Sequence, residues 1–175
     1  MCCGPCAVYP HQVLSREHEI TGLFYNPNIH PYTEYKKRLD TARDFADKSG
    51  YKLITIDEYN LDEFLRNAAF REGQRCIMCY ADRLERAASV ARSGRFDAFT
   101  TTLLVSPFQK HDLIRKIGEE AGKKYGVEFL YKDFREGFKE GVEKSKELGL
   151  YRQPYCGCIY SERDRYMPGR KDGGK

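Results

Sequence analysis

Cysteine occurs in this sequence only in three short groups, and their internal spacing is typical of metal ligands. The groups are CCGPC, CIMC and CGC, and their seven members are Cys2, Cys3, Cys6, Cys76, Cys79, Cys156 and Cys158. Cysteines that fill a hydrophobic core would instead be scattered singly along helices and strands. Four thiolates complete a tetrahedral zinc site or hold an iron–sulfur cluster. Seven thiols therefore favour one four-cysteine centre, with three thiolates left for a second metal beside it.

The geometry of an extended chain suggests how the thiols divide between two centres. Because neighbouring residues in extended backbone point in opposite directions, we expect Cys2 and Cys3 to serve different centres. The simplest partition gives Cys2, Cys76, Cys79 and one CGC cysteine to a cluster. Cys3, Cys6 and the other CGC cysteine then hold a single metal. We expect CIMC near the start of a helix, whose amino end would stabilise two thiolates on one metal. For CIMC taken alone, the alternative is a thioredoxin-like dithiol.

Length and composition place these groups in one globular domain. The chain has 175 residues, 41% hydrophobic and 13% aromatic, which is enough to bury a sizeable core. We expect a single α/β domain over residues 1–165 and a flexible basic tail over residues 166–175. No apolar run approaches the ~20 residues that span a bilayer, and the start MCCGPC has no signal-peptide pattern. These features predict a cytoplasmic protein with reduced thiols and no membrane partner.

The positive charge of the chain is concentrated near its end. The formal net charge is +4, and residues 150–175 carry six Lys or Arg against three Asp or Glu. A basic end of this kind favours contact with nucleic-acid phosphates. The alternative is a segment that is only solvated.

Strand-like and helix-like segments alternate along the chain and predict the fold class. Short β-rich segments predict strands over residues 20–25, 52–56, 97–105 and 127–131. Apolar residues at helical spacing predict helical segments over residues 31–50, 61–94, 106–126 and 133–149. The third of these opens with an N-cap and first-turn proline, Ser106 and Pro107, and the last with a capping box, Asp133 and Glu136. This alternation predicts an α/β fold with three layers, a parallel sheet covered by helices on both faces.

Two further segments place polar groups where ligands gather, at the carboxyl ends of parallel strands. In YNPNIHP, the candidate substrate-binding residues are Asn26, Asn28 and His30, and the alternative is an ordinary turn rich in Asn and Pro. In SPFQK, Ser106 and Lys110 mark a capped helix start that could bind an anion. An ordinary helix cap is the alternative for this second segment.

The segment YRQPYCGC crowds polar and aromatic side chains against two cysteines. Arg152 and Gln153 could read the edges of nucleobases, and Tyr155 could stack on a base. The alternative is a structural cover over a buried metal cluster.

Taken together, five segments resemble a known family. They are, in order, CCGPC, FYNPNIHPYTEYKKRL, RCIMCYADRLERAA, FTTTLLVSPFQK and YRQPYCGCIYSERDR. Over residues 2–165 the chain resembles the cobalamin-independent epoxyqueuosine reductases, the QueH family. The resemblance implies an α/β fold related to the HUP group of Rossmann-like domains. It also implies a [4Fe–4S] cluster with one adjacent iron, for which the seven cysteines are the expected ligands. Some family members have Asp at the position of Cys6, which is a reasonable change for an iron ligand.

The resemblance further implies the last step of queuosine biosynthesis, in which the epoxide of epoxyqueuosine at the tRNA wobble position is reduced. The chemistry needs two electrons, a Lewis acid for the epoxide oxygen and a proton source. We expect an external donor of ferredoxin or flavodoxin type, and Cys3 and Cys6 at the reacting metal. Asp82, Tyr155 and His30 are the candidate proton donors. The alternatives are a zinc-containing RNA-binding module without catalysis and a dithiol redox protein.

The amino end differs from the family pattern. Family members carry a short apolar strand, often ending in His, before CCGPC, and this sequence begins at the motif. We expect either a late start or a truncated form, in which the sheet lacks its first strand and the metals are held less firmly.

Overall fold

Seven α-helices and four short β-strands alternate over residues 1–167, the part of the chain that the computed structural model describes. The helices are α1 (Gly4–Leu14), α2 (Tyr32–Ser49), α3 (Leu61–Ala68), α4 (Arg75–Ser93), α5 (His111–Tyr125), α6 (Phe138–Glu147) and α7 (Ile159–Tyr166). The strands are β1 (Thr21–Phe24), β2 (Lys52–Thr55), β3 (Ala98–Phe99) and β4 (Glu128–Phe129). Most of the predicted basic tail, residues 168–175, lies outside the described residues.

The strands pair in parallel, as the alternation of elements predicts. Strand β1 pairs with β2, and Thr21 lies opposite Lys52. Strand β3 pairs with β4, and Ala98 lies opposite Glu128. Within residues 1–167 these pairs form two separate two-stranded sheets. The mixed α/β class is confirmed.

Helix α2 shows why its segment folds as the sequence predicts. Tyr35, Leu39 and Ala42 recur at helical spacing and are fully buried. The helix ends at Gly50, whose φ of 69° lies in the left-handed region that glycine adopts without a steric penalty.

The segment over residues 97–105 differs from its prediction as a long strand. Only Ala98–Phe99 is extended and paired, and Thr102–Val105 forms a 3₁₀ turn. The Thr101 hydroxyl accepts a hydrogen bond from the Leu103 amide at 3.3 Å, which caps this turn and ends the strand. β-Branched residues favour strands on average, but here a local side-chain bond prevails.

The predicted helix start at Ser106 and Pro107 is wrong. Helix α5 begins five residues later than Ser106, at His111, and Lys110 precedes it without a side-chain cap. The Ser106 hydroxyl instead accepts a hydrogen bond from the Phe108 amide at 3.3 Å, within a turn. Short polar side chains stabilise turns and helix caps by the same contact, so the sequence alone does not separate the two.

Other helices also differ from the predictions. The helical segment over residues 61–94 is broken at Phe70, whose φ is 59°. Asp133 accepts from the Arg135 amide at 3.0 Å and opens a 3₁₀ turn, while Glu136 accepts from the Tyr9 hydroxyl. The reciprocal contact of a capping box is therefore absent from this segment. Helices α1 and α7 were not predicted.

A cavity of about 620 Å³ lies between the two sheets. Its walls include residues of β1 and β3, together with Met1 and Arg83. The Met1 amino group donates a hydrogen bond to the Leu23 carbonyl of β1 at 2.6 Å. The main hydrophobic core borders this cavity and lies where α4 and α5 pack against each other and against β3 and β4.

Candidate metal centre

The amino end of α1 gathers three thiols. Cys3 is the residue before the helix, in extended conformation, and Cys6 lies in its first turn. The sulfur atoms of Cys2, Cys3 and Cys6 all lie within 4.8 Å of one another. Helix α1 approaches α2 so closely that a Cβ at Gly4 would lie 2.6 Å from the Thr41 carbonyl oxygen. Glycine in CCGPC therefore permits the close packing that buries Cys2 and Cys3.

The thiol spacing fits a bound metal. Metal–sulfur bonds of about 2.3 Å place the sulfurs of a tetrahedral site roughly 3.8 Å apart. The sulfur atoms of Cys2 and Cys3 are 3.7 Å apart. These two thiols thus lie together, although neighbouring extended residues were expected to point to different centres. Their division between two centres stays a prediction.

The second and third cysteine groups lie beside each other. Cys76 and Cys79 occupy the first turns of α4, as the sequence predicts. The pKa of Cys79 is raised to about 12, mainly by burial and in part by the charges of Cys156 and Cys158, against the lowering effect of Arg83. The charge of Cys2 in turn acts on Cys156. The fold therefore brings all three groups to one region of the molecule.

The three thiols at α1 differ in how readily they ionise. Hydrogen bonds from Cys3 and Cys6 hold the pKa of Cys2 well below its ordinary value. Burial raises the pKa of Cys3 well above its ordinary value, and hydrogen bonding to Cys2 adds to this rise. Of the three cysteines, Cys2 is therefore favoured as the thiolate, and binding of a metal cation would deprotonate the other two.

Two buried arginines lie near the thiols, and neither was among the predicted site residues. Burial opposes the charge of Arg83, but the Cys79, Cys2 and Cys156 thiols hold its pKa above the ordinary value. Burial opposes the charge of Arg38 as well, and Cys3 and Cys2 again hold its pKa up. A sequence signal for both exists, since each arginine interrupts the apolar face of its helix. Their positive charge suits an anionic metal–thiolate centre.

Arg38 connects the last cysteine group to α2. Its guanidinium donates to Glu34 at 2.7 Å, to the Cys156 carbonyl at 2.7 Å and to the Tyr155 carbonyl at 2.9 Å. The space beside Gly157 is small, because a Cβ there would lie 3.3 Å from the Arg38 nitrogen Nη1. The φ of Gly157 is 150°, which also favours glycine. Glycine between the two cysteines therefore lets this loop lie against Arg38.

The predicted substrate-binding turn lies beneath the CGC loop. Asn26, Asn28 and His30 are buried, and the His30 amide donates to the Gly157 carbonyl at 2.8 Å. Among the described residues, the side-chain oxygens of both asparagines and both ring nitrogens of His30 have no hydrogen-bond partner. Burial lowers the pKa of His30 to about 4, so its ring is neutral near pH 7.

The other two candidate proton donors are engaged in hydrogen bonds. Asp82 accepts from the Tyr25 hydroxyl at 3.1 Å, and burial raises the pKa of its carboxyl. The Tyr155 hydroxyl donates to the His30 carbonyl at 2.5 Å. Burial raises the pKa of Tyr155 to about 12, so its hydroxyl stays protonated. Both groups therefore hold a proton more firmly than they would in water.

The remaining predicted residues divide between surface and interior. Lys110 and Arg152 are exposed, and Ser106 is half-buried in its turn. The Gln153 amide instead contacts the thiols of Cys3 and Cys6. The exposure of Lys110 and Arg152 suits a surface role, whereas the half-buried Gln153 directs its amide to the thiols.

Gln109 is a further contact that sequence reasoning missed. Its amide nitrogen donates to the sulfur of Cys156 at 3.5 Å, and its oxygen accepts from the Tyr80 hydroxyl at 2.7 Å. Gln109 belongs to SPFQK, where only the polar residues at either end had been selected. The motif therefore reaches the cysteines through a residue in its interior.

Fold and site together define an α/β protein in which a group of buried thiols could hold a metal. The family model described as "Epoxyqueuosine reductase QueH" matches residues 1–164. The chain is 35% identical to "Epoxyqueuosine reductase QueH" of Dehalococcoides mccartyi over 166 residues, which are 94% of this chain and 91% of the relative. It is 37% identical to the protein of the same description from Thermotoga maritima, covering 94% of this chain and 89% of the relative. The chain belongs to the epoxyqueuosine reductase QueH family.

Within residues 1–167, none of the helices combines the length and apolarity that crossing a bilayer requires.

Proposed function

We propose that this protein is an epoxyqueuosine reductase, an oxidoreductase that converts epoxyqueuosine in tRNA to queuosine. Family membership over residues 1–164 is the observation that carries this proposal. The convergence of the three cysteine groups supports it, because a redox metal centre needs such ligands. The experiment that tests it is reduction of epoxyqueuosine tRNA by the metal-loaded protein and a chemical reductant.

The reaction balances with two electrons and two protons. Both carbon–oxygen bonds of the epoxide break, a carbon–carbon double bond forms, and the oxygen leaves as water. A [4Fe–4S] cluster with one adjacent iron would supply single electrons and a Lewis acid for the epoxide oxygen. The seven cysteines would hold both, and the CGC loop, where Cys156 is exposed, is where substrate would approach.

The chain's own residues would stabilise the charge and supply the protons. Arg38 and Arg83 would offset the negative charge that the thiolates bring into the interior. Asp82 and Tyr155 are the proposed proton donors, since burial keeps the Tyr155 hydroxyl protonated and raises the pKa of the Asp82 carboxyl. Proton transfer would follow breakage of their present hydrogen bonds to Tyr25 and to the His30 carbonyl.

Recognition of tRNA would use the exposed cations beside the cysteines. Lys110 and Arg152 are exposed and suit phosphate contacts, while Asn26 and Asn28 lie deeper and would face a group that enters the site. We propose a cytoplasmic protein with an electron donor of ferredoxin or flavodoxin type. A zinc module or a dithiol protein would lack acid-labile sulfide, which separates both from the reductase.

We also propose that the two sheets are parts of one parallel sheet in a three-layer fold of HUP or Rossmann type. Both sheets are parallel, and the cavity of about 620 Å³ separates them along β1 and β3. One further strand in this cavity, at the usual spacing of about 4.8 Å from each neighbour, would join the two pairs. The strand order would then be β2, β1, added strand, β3, β4. Residues 1–165 would then form a single domain.

A variant that carries an apolar segment of about five residues ahead of Met1 tests this arrangement, since that is an ordinary strand length. Burial lowers the pKa of the Met1 amino group to about 6. The extension replaces this amino group by a peptide N–H, which can still donate to the Leu23 carbonyl. Each buried Val, Leu or Ile is worth about 1.5–3 kcal/mol, so we expect a higher free energy of unfolding and slower loss of iron.

Thermal unfolding and iron retention would be compared under anaerobic conditions. The control is an extension of the same length made of Gly and Ser, which cannot fill an apolar cavity. Equal melting temperatures for the two extensions would show that the cavity does not take a strand.

A further inference from the structure

The side-chain amide of Gln153 lies between two of the thiols at the start of α1. Its oxygen accepts a hydrogen bond from the Cys3 thiol at 3.1 Å, and its nitrogen donates to the Cys6 sulfur at 3.0 Å. One side chain thus contacts both cysteines of the Cys-x-x-Cys pair in CCGPC. This position differs from the base-reading role that the sequence suggested for Gln153.

The backbone on both sides of Gln153 is held in place. The Tyr151 hydroxyl donates to the buried Glu34 carboxylate at 2.5 Å, and Arg38 donates to the Tyr155 carbonyl at 2.9 Å. Because contacts two residues before and two residues after fix the loop, the amide has few other positions to adopt. Its contact with the thiols is therefore built into the fold of the loop.

Loading with metal changes the two contacts differently. A metal ligand is a thiolate, so Cys3 loses the proton that it donates to the Gln153 oxygen. Cys6 also becomes a thiolate, but it accepts the amide N–H, and a bond to an anionic acceptor becomes stronger. The N–H of Gln153 to Cys6 is thus the contact that survives in the metal-bound state.

We infer that Gln153 is a positioning residue of the metal centre, which donates its amide N–H to the Cys6 sulfur and orients that ligand. Such outer contacts hold a ligand in its binding rotamer and draw electron density from the sulfur. This inference concerns the same centre as the proposed reductase and rests on metal binding there. Its readouts do not require turnover.

Three variants separate the possible roles of the amide. Gln153→Leu removes both polar atoms, and Gln153→Glu keeps the oxygen acceptor but removes the N–H donor. Gln12→Leu is the control, since Gln12 lies on α1, as Cys6 does, and contacts Glu140 and Lys144 rather than a thiol. The proteins are reconstituted anaerobically with ferrous iron and sulfide. Iron loss to a chelator and the energy of the sulfur-to-iron charge-transfer absorption are then measured.

We expect Gln153→Leu and Gln153→Glu to hold the weakest-bound iron on the order of 10–100-fold less tightly than the unsubstituted protein. In the iron that remains bound, the charge-transfer band should shift to lower energy, because the Cys6 sulfur loses a hydrogen bond. Gln12→Leu should change neither quantity. A role in packing alone would weaken the loop without shifting the band of the bound iron.

Two results would overturn the inference. Unchanged iron affinity and absorption in Gln153→Leu would show that the amide has no role at the metal. If Gln153→Glu kept the iron affinity and the absorption of the unsubstituted protein while Gln153→Leu lost them, the side-chain oxygen, and not the N–H, would be the atom that acts on the metal centre. Loaded protein that shows the Gln153 effects but does not reduce epoxyqueuosine tRNA would instead contradict the proposed function and leave the inference standing.

Discussion

Cys79→Ser protein, purified anaerobically, is expected to lose the iron–sulfur absorbance, whereas the unsubstituted protein carries on the order of 4–5 iron atoms with nearly matching sulfide. Cys76→Ser should behave in the same way. Serine keeps the size of the side chain, but its hydroxyl does not ionise readily enough to replace a thiolate. Cys3→Ser and Cys6→Ser are expected mainly to remove the additional iron, with the cluster absorbance retained.

The matched control is Ile77→Ser, which places the same new residue between the two cysteines of CIMC. Ile77 is 46% exposed, so its replacement should leave α4 and the metal content unchanged. Iron, zinc and acid-labile sulfide are measured together with the visible spectrum. Stoichiometric zinc without sulfide would contradict the cluster, and equal bleaching by all four cysteine variants would contradict the partition of ligands.

Arg38→Met is expected to have the largest effect on stability of any change outside the cysteines. Arg38 is fully buried, and its removal leaves the Glu34 carboxylate without its ion-pair partner and the Tyr155 and Cys156 carbonyls without their Arg38 donor. Breaking a buried ion pair on one side typically costs about 3–5 kcal/mol. Because the same contacts hold Cys156 beside the other thiols, the variant should also lose iron faster.

The exposed face of the same helix provides the control for this prediction. Arg43 pairs with Asp40 at 3.7 Å, and both side chains are largely exposed. Arg43→Met should change the free energy of unfolding by less than about 1 kcal/mol. Denaturant unfolding under anaerobic conditions measures both variants. An Arg38→Met protein as stable as the Arg43→Met protein would show that the Arg38 contacts do not stabilise the fold.

Periodicity in the sequence predicts the elements that depend on a regular apolar pattern. Helix α2 and its end at Gly50 follow from the pattern, and β1 and β2 follow from short β-rich segments. The start of α4 beside CIMC is also predicted. In each case, the residues that face the core repeat with the period of the element, so the sequence carries the geometry directly.

Elements that depend on single local contacts are not predicted. The cap by Thr101 shortens the third strand, and Ser106 stabilises a turn rather than a helix start. Helix α7 buries none of its residues fully and thus has no apolar face for the sequence to reveal. These outcomes depend on hydrogen bonds whose partners the chain alone does not identify.

At the candidate site, the sequence predicts the grouping of the cysteines better than their surroundings. The three groups are evident from spacing, and Cys2, Cys3 and Cys6 lie within 4.8 Å of one another, while the role of all seven as ligands stays a prediction. The buried arginines and the amides of Gln109 and Gln153 come from segments distant in sequence, so only the fold brings them to the thiols. Short spacing identifies cysteines that could share a metal. The side chains that contact those cysteines come from elsewhere in the fold and leave no such pattern in the sequence.

Nucleoside mass spectrometry of tRNA is the most direct test of the proposed activity. Epoxyqueuosine tRNA is incubated anaerobically with iron-loaded protein and a chemical or flavodoxin-type reductant, then digested to nucleosides. Cys79→Ser protein is the matched control, because it should lack the cluster. We expect the unsubstituted protein to convert epoxyqueuosine to queuosine, with the loss of one oxygen atom, and the control to leave it unchanged. Epoxyqueuosine that persists with fully loaded, reduced protein would contradict the assignment as an epoxyqueuosine reductase.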